Sequence, residues 1–127
     1  MWFKIGPKQL TVQGLIAQLK ESAYDDDLNA IIPIARELGQ RGDEKETVPG
    51  LIELLKDPNS NVCFAAALAL SETGESGKPA EAALIETAIK YKDNHRVRWE
   101  AWSALGKIQL ASSRQESQNP LKKPSPE

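Results

Sequence analysis

The sequence has few of the residues from which metal sites, disulfides and catalytic centres are built. It contains one cysteine, Cys63, and one histidine, His95, among 127 residues. A lone cysteine excludes an internal disulfide, and one Cys with one His cannot supply the four ligands of a structural zinc site. The sequence also lacks a glycine-rich phosphate loop and a nucleophile elbow. We therefore predict no bound metal, no cofactor and no independent catalysis.

Long apolar runs are also missing. No apolar run approaches the ~18 residues that a membrane span requires. The opening residues, Met-Trp-Phe-Lys-Ile-Gly-Pro, are too short to form the apolar core of a signal peptide. We therefore expect no membrane span and a cytoplasmic location.

Aromatic residues make up only 6% of the chain, whereas Ala and Leu are plentiful. That composition favours helices over sheets, so we predict an all-α fold. A length of 127 residues suits one small domain or one short repeat array. The net charge of −2 and the pI of about 5.5 argue against a generic binder of nucleic acid, which usually concentrates positive charge on one face.

An internal repeat is visible in the spacing of the apolar residues. A Leu-Ile pair opens each copy, at Leu15-Ile16, Leu51-Ile52 and Leu84-Ile85. A second segment in each copy carries apolar residues at i, i+4 and i+8: Ala30, Ile34 and Leu38; Val62, Ala66 and Leu70; Val97, Ala101 and Leu105. This spacing is typical of one buried helix face. It predicts three helical hairpins, over residues 11–42, 46–75 and 78–110.

Residues that favour helix ends agree with this phase. Asp27, Asn59 and Asn94 each stand three residues before a window, where their side chains can accept hydrogen bonds from free helix N–H groups. For the first helix of each pair we predict starts at Thr11, Thr47 and Ser76, and for the second helices of repeats one and three glycine ends at Gly39 and Gly106. Pro33 should kink its helix or delay its start.

The second copy resembles a HEAT repeat. It contains VPGLIELLKDP from Val48 to Pro58, then Val62 and the run AAALAL from Ala65 to Leu70. The third copy keeps the Val-Arg pair of the family as Val97-Arg98. The resemblance covers about residues 11–110 and implies a short α-solenoid of about three HEAT-like hairpins. In HEAT repeats that arginine commonly pairs with an Asp of the next repeat, and two of the three copies here lack it, so we expect a partial or missing polar ladder.

One column of apolar residues is the main candidate for a binding surface. Ile32, Phe64 and Trp99 occupy the third position of the three windows, and Leu68 lies one turn after Phe64. Equivalent positions of a solenoid line up along the array, so these side chains form a continuous strip. The strip is either an exposed groove for a partner or part of the core between the helices.

Trp102 and a basic stretch are further candidates. Trp102 stands where the other copies have Ala35 and Ala67, so a closely stacked helix there would be overpacked, and we expect open space beside it. It would cover the outer face of repeat three, contact the C-terminal tail or anchor another subunit. The basic stretch of repeat three consists of His95 and four cations: Lys90, Lys92, Arg96 and Arg98. Its positive charge could bind an acidic partner or a phosphate, or the stretch is a solvated turn.

The two ends of the chain are predicted to be accessory. Residues 1–10 contain Trp2, Phe3 and Ile5, which could form an N-terminal arm or cap on repeat one. Residues 111–127 are rich in Ser, Gln, Pro and Lys, and we expect a disordered C-terminal tail. Three repeats are near the lower limit for a stable array, so a homo-oligomer would add stability.

We compare three functional hypotheses. The first is a non-catalytic scaffold that binds a protein segment on the strip. The second rests on the resemblance alone, because the repeats are similar to the short bacterial HEAT-like repeats of phycobilisome bilin lyases. That resemblance implies a lyase-related subunit acting on phycobiliproteins, with a bilin as ligand. The third is a DNA-binding HEAT solenoid, with Trp99 stacking and Arg96 or Arg98 near phosphate. The low pI disfavours it.

Overall fold

The structure, a computed structural model, describes residues 10–118. Within that range the chain forms helices joined by turns, and no strand, which confirms the all-α prediction. The helices are α1 (Val12–Tyr24), α2 (Leu28–Gln40), α3 (Thr47–Leu55), α4 (Ser60–Ser71), a 3₁₀ helix (Gly74–Ala80), α5 (Glu81–Lys90) and α6 (His95–Gln118). Most of the predicted N-terminal arm, and residues 119–127 of the predicted tail, lie outside the described residues.

The six α-helices form three stacked hairpins. Helices α1 and α2, α3 and α4, and α5 and α6 pack as pairs. The second helices form one layer, in which α4 lies between α2 and α6, and the first helices form the other, in which α3 contacts both α1 and α5. This arrangement is a short α-solenoid, as the repeat spacing predicted.

Side-chain caps fix the starts of four helices where the sequence predicted them. Thr11 accepts a hydrogen bond from the N–H of Gly14 at 3.1 Å. Asp27 does the same for Ala30 at 3.3 Å, Asn59 for Asn61 at 2.8 Å and Asn94 for Val97 at 3.2 Å. A short polar side chain just before a helix satisfies an N–H that has no partner within the helix, and this local chemistry sets the phase of the hairpins.

Of the other two predicted starts of first helices, one is confirmed and one was wrong. Helix α3 begins at Thr47 as predicted, although the Thr47 hydroxyl caps no helix N–H and donates to the carbonyl oxygen of Arg41 at 2.7 Å. Ser76 begins no α-helix, since the chain from Gly74 to Ala80 winds as a 3₁₀ helix and α5 starts only at Glu81. Pro79 lies inside the 3₁₀ helix, two residues before α5 begins.

Neither predicted glycine end is where a helix stops. Gly39 lies inside α2, and a Cβ added there would overlap Cβ of Glu72, so this glycine is needed for close packing of α2 on repeat two. Gly106 lies in the middle of α6, and a Cβ added there would meet nothing within 4 Å among the described atoms. Pro33 is also inside α2, on its exposed side, and the helix continues past it to Gln40.

Helix α6 continues past the predicted boundary of the third repeat at residue 110. It runs to Gln118 and so includes residues 111–118, the first part of the predicted tail. Just before this extension, Ile108 is fully buried and approaches Gly77 of the 3₁₀ helix closely, and Ala111 at its start lies close to Gly74. Burial of that apolar contact stabilises a helix that the polar sequence alone does not favour.

The core lies between the two layers and between successive repeats. Of the nine apolar positions predicted to face it, eight are buried, and Ala30 is half-buried against them. The Leu of each opening pair, at positions 15, 51 and 84, is also fully buried. The core therefore runs through all three repeats without a break, which is how solenoids obtain their stability.

Candidate functional site

The predicted strip lies on the surface of the layer formed by α2, α4 and α6. Ile32 on α2 is 38% exposed and Trp99 on α6 is 76% exposed. Phe64 on α4 is half-buried, and Leu68, one turn later, is half-buried against the core. The exposure of these side chains therefore favours the hypothesis that the strip is a surface groove over the hypothesis that it is core between the helices. We call Ile32, Phe64, Leu68, Arg96 and Trp99 the interaction face.

Arg96 connects three parts of the array at one end of this face. Its guanidinium carbon lies 4.1 Å from the centroid of the Phe64 ring, a cation–π distance. Its Nη1 also lies 3.3 Å from Oδ1 of Asp26 in the turn between α1 and α2. Arg96 therefore reaches from α6 across α4 to the first repeat, and its guanidinium covers the Phe64 ring.

The geometry of Arg96 leaves one of its donors unused. Nη2 is buried and has no hydrogen-bond partner among the described residues. Asp26 adopts a positive φ of 52°, a conformation that Asp tolerates better than most residues, and this bend brings its carboxylate toward Arg96. The pair is partly open to solvent, with 36% of the Arg96 side chain and 58% of the Asp26 side chain exposed.

The other basic residues of repeat three do not converge on one site. Arg98 donates from Nη1 to the carbonyl oxygen of Lys92 at 2.8 Å, and its Nη2 lies 3.0 Å from Nδ1 of His95. These contacts close the turn between α5 and α6. Lys90 lies over the ring of Tyr91, 5.4 Å from its centroid, and Lys92 is exposed. Each cation thus has its own local environment, and a shared phosphate site is not formed.

Trp102 borders the interaction face on α6. It follows Trp99 by three residues, which places the two about 60° apart around the helix axis and makes them neighbours on its surface. Trp102 is 45% exposed, whereas its equivalents Ala35 and Ala67 are fully buried. The open space expected beside this tryptophan is present, and it lies at the outer edge of repeat three.

A partly buried carboxyl group near the interaction face was not predicted. Glu100 on α6 lies beside Ser71 and Glu72 at the end of α4. Burial raises its pKa, the negative charge of Glu72 raises it further, and Lys107 opposes both. The sequence gives no signal for this site, because the position belongs to no repeat signature and its burial depends on how α6 packs against α4.

A second polar cluster joins repeats one and two. The Tyr24 hydroxyl donates to Oδ1 of Asp57 at 3.1 Å, and Nζ of Lys20 lies 3.5 Å from Oδ2. Asp57 also accepts from the N–H of Asn59 at 2.8 Å, and that bond is the main cause of its lowered pKa. Tyr24 and Lys20 thus occupy the carboxylate of Asp57, while the family-type Arg98 bonds to its own turn.

Cys63 is a buried structural residue in this fold. Its Sγ lies 3.2 Å from the carbonyl oxygen of Asp57 and 3.6 Å from the Tyr91 hydroxyl. Burial raises the pKa of the thiol, and burial together with Cys63 raises the pKa of Tyr91 to about 12. A protonated, enclosed thiol is a poor nucleophile. Among the described residues, no group of His, Cys, Asp and Glu is placed to hold a metal ion.

The described part of the chain has no helix that combines the length and the apolarity needed to cross a bilayer. Even α6, at 24 residues, has charged and polar side chains along much of its length.

The stacked helix pairs define the fold as an α-solenoid built from short helical hairpins. The family model for HEAT repeats matches residues 12–106, which covers the three hairpins as far as the middle of α6. The chain therefore belongs to the HEAT repeat family, as the residues of its second and third copies indicated. The comparisons with curated proteins and with solved structures gave no significant match.

Proposed function

We propose that this chain is a non-catalytic interaction module that binds an apolar segment of another protein on its interaction face. One observation carries the proposal: each repeat contributes one exposed or half-exposed large apolar residue, Ile32, Phe64 or Trp99, at the same position of its second helix. Residues equivalent by repeat form a row, and an extended or helical peptide presents its own side chains in a row.

The character of the row supports a protein partner. Trp99 is 76% exposed, and a tryptophan so exposed is a typical anchor of a protein interface. Arg96 and Phe64 present a flat cationic and aromatic surface beside it. The unused Nη2 of Arg96 would donate a hydrogen bond to a carboxylate of the partner once the guanidinium turns outward. An apolar segment with a nearby acidic residue therefore fits this face best.

The test is capture of partners from native extract, with quantitative mass spectrometry of wild type, Trp99→Ala and Ile89→Ala. Each variant loses one large exposed apolar side chain, and Ile89 lies on α5, in the other helix layer, so Ile89→Ala is the control. We expect Trp99→Ala to lose the partners that wild type retains, and Ile89→Ala to keep them. If folded Trp99→Ala keeps every partner, the interaction face is not the binding surface.

The bilin lyase alternative stays a separate hypothesis that rests on the earlier resemblance. Its test is the absorbance of phycocyanobilin mixed with the purified chain. A shifted and intensified band would support tetrapyrrole binding, and an unchanged spectrum would dismiss it.

A further inference from the structure

The outer side of repeat three has the form of a stacking surface, and no other helix among residues 10–118 packs on it. The contact between repeats two and three shows how such a surface packs against a following repeat. On α4 the residues Cys63, Ala67 and Ser71 lie four apart, and Cys63 and Ser71 approach Tyr91 and Glu100 of repeat three. Ala67 between them is fully buried. This ridge of α4 is therefore the surface on which the next repeat packs.

The equivalent ridge of α6 begins with Arg98, Trp102 and Gly106, and Leu110 continues it one turn further. Trp102 is 45% exposed and Leu110 is 54% exposed. Gly106 between them leaves a hole, because no described atom lies within 4 Å of a Cβ placed there. A bulky side chain and an empty position thus lie one helical turn apart on the same ridge.

Helix α5 supplies the other half of the edge. In repeat one, Ile16 reaches the next first helix and fills the space over Gly50. Its equivalent in repeat three is Ile85, which is 37% exposed. One turn later Ile89 is 63% exposed, where repeats one and two have Lys20 and Lys56. The edge is therefore apolar on both helices.

We call the surface formed by these residues the outer edge: Ile85, Ile89, Trp102, Gly106 and Leu110. We propose that two copies of this chain associate by the outer edge about a two-fold axis. The ridge of α6 is self-complementary: in an antiparallel pair, Trp102 of each copy fills the hole over Gly106 of the other. An interface in which residue i meets j and j meets i is the property of a two-fold contact, and it closes at two copies.

The exposed area suits this occupant. The four large side chains expose on the order of 400 Å² of apolar surface per copy, within the range of a functional patch. Two copies would bury roughly 800 Å² of it, and with the usual polar rim the interface reaches about 1,300 Å², a standard size for a specific complex.

Sedimentation equilibrium of the full chain tests the proposal over a range from about 1 μM to several hundred μM, the affinity range of modest apolar interfaces. We expect a monomer–dimer equilibrium that ends at two chains. Trp102→Ala and Gly106→Gln should each raise the dissociation constant at least about tenfold, because one removes the anchor and the other fills the hole. Leu28→Ala removes a side chain that is 42% exposed on α2 and belongs to neither surface, so it is the control and should leave the constant within about twofold.

Gly106→Gln separates association from folding. Since the position faces open space and Gln favours helices more than Gly does, its thermal unfolding midpoint should not fall at a protein concentration where wild type and variant are both monomers. A mass of one chain at every concentration overturns the proposal, because the edge then has another occupant or none. Oligomers that grow beyond two chains overturn the two-fold axis, and a dimer unaffected by both variants overturns the assigned surface.

Discussion

Repeats two and three use equivalent positions for opposite purposes. Ala67 in repeat two is fully buried where α6 stacks on α4, whereas Trp102 at the same position in repeat three is 45% exposed. Ile52 is half-buried against the core, whereas Ile85 is 37% exposed. The difference shows that the position of a residue in the repeat does not decide its burial. What decides it is whether another repeat stacks beside it.

The largest effect is expected from placing the outer-edge residue in the inner stack. Ala67→Trp puts an indole between α4 and α6, where the packing leaves no room. Overpacking of this size should lower the free energy of unfolding by about 3 kcal/mol or more. The reverse change, Trp102→Ala, removes a half-exposed side chain and should cost about 1 kcal/mol or less. Urea unfolding followed by circular dichroism measures both.

Equal losses in the two variants would contradict this comparison. They would mean that Ala67 and Trp102 occupy similar environments, and the stacking of repeat three on repeat two would then differ from the one described.

A smaller effect is expected from adding one methyl group at two glycines. Gly39→Ala forces a Cβ into the space held by Glu72, so α2 and α4 must move apart, at a cost of about 1–3 kcal/mol. Gly106→Ala adds a methyl group to an open part of α6 and should stabilise the chain by about 0.5–1 kcal/mol through helix propensity. Thermal and urea unfolding should therefore move in opposite directions.

The sign of the change is the useful readout here. If Gly39→Ala proves as stabilising as Gly106→Ala, then Gly39 is an ordinary helix position and the close approach of α2 to Glu72 is not needed for the fold.

These glycines also show how far the sequence could predict the fold. The starts at Thr11, Asp27 and Asn59 depend on hydrogen bonds within three residues, so local chemistry was enough to locate them. The role of Gly39 depends on Glu72 in the next repeat. A glycine near the end of an apolar pattern looks like a helix terminus, and only the packing of two repeats distinguishes the alternatives.

The interaction face was predictable only in part, for the same reason. Register aligned Ile32, Phe64 and Trp99, because a repeat places equivalent residues in a row. The alignment of the repeats could not predict the contact of Arg96 with Asp26, because the two residues lie 70 positions apart in the sequence. The basic stretch looked continuous in the sequence. Each of its side chains follows its own contacts in the fold, and those contacts depend on the turn between α5 and α6.

A third, more modest effect is expected where Arg96 joins the repeats. Arg96→Gln removes the cation–π contact with Phe64 and the ion pair with Asp26. The ion pair is partly exposed and contributes little, so the total loss should be about 1 kcal/mol. A double-mutant cycle of Arg96→Gln with Phe64→Leu, at low and high salt, measures the coupling. Coupling near zero would show that Arg96 and Phe64 do not interact, whereas a strong salt dependence would assign the effect to Asp26.

The smallest effect is a pH dependence at Glu100. Burial, and then the charge of Glu72, raise the pKa of this carboxyl in the folded state. A raised pKa means that the folded protein binds this proton more tightly than the unfolded chain. The stabilisation from Glu100 is therefore complete below the ordinary glutamate pKa of ~4.3 and is lost as the pH rises through the folded-state value.

Glu100→Gln should remove that loss, because an amide stays neutral at every pH. We expect the variant to gain stability at neutral pH by under about 1 kcal/mol after solvent screening, and to match wild type near pH 4. Glu86→Gln, on the exposed side of α5, is the matched control for the loss of one negative charge. Urea midpoints across the pH range measure the difference. If Glu100→Gln is instead less stable at neutral pH, the attraction between Glu100 and Lys107 outweighs burial, and the contact of α6 with the end of α4 is more open to water than its geometry indicates.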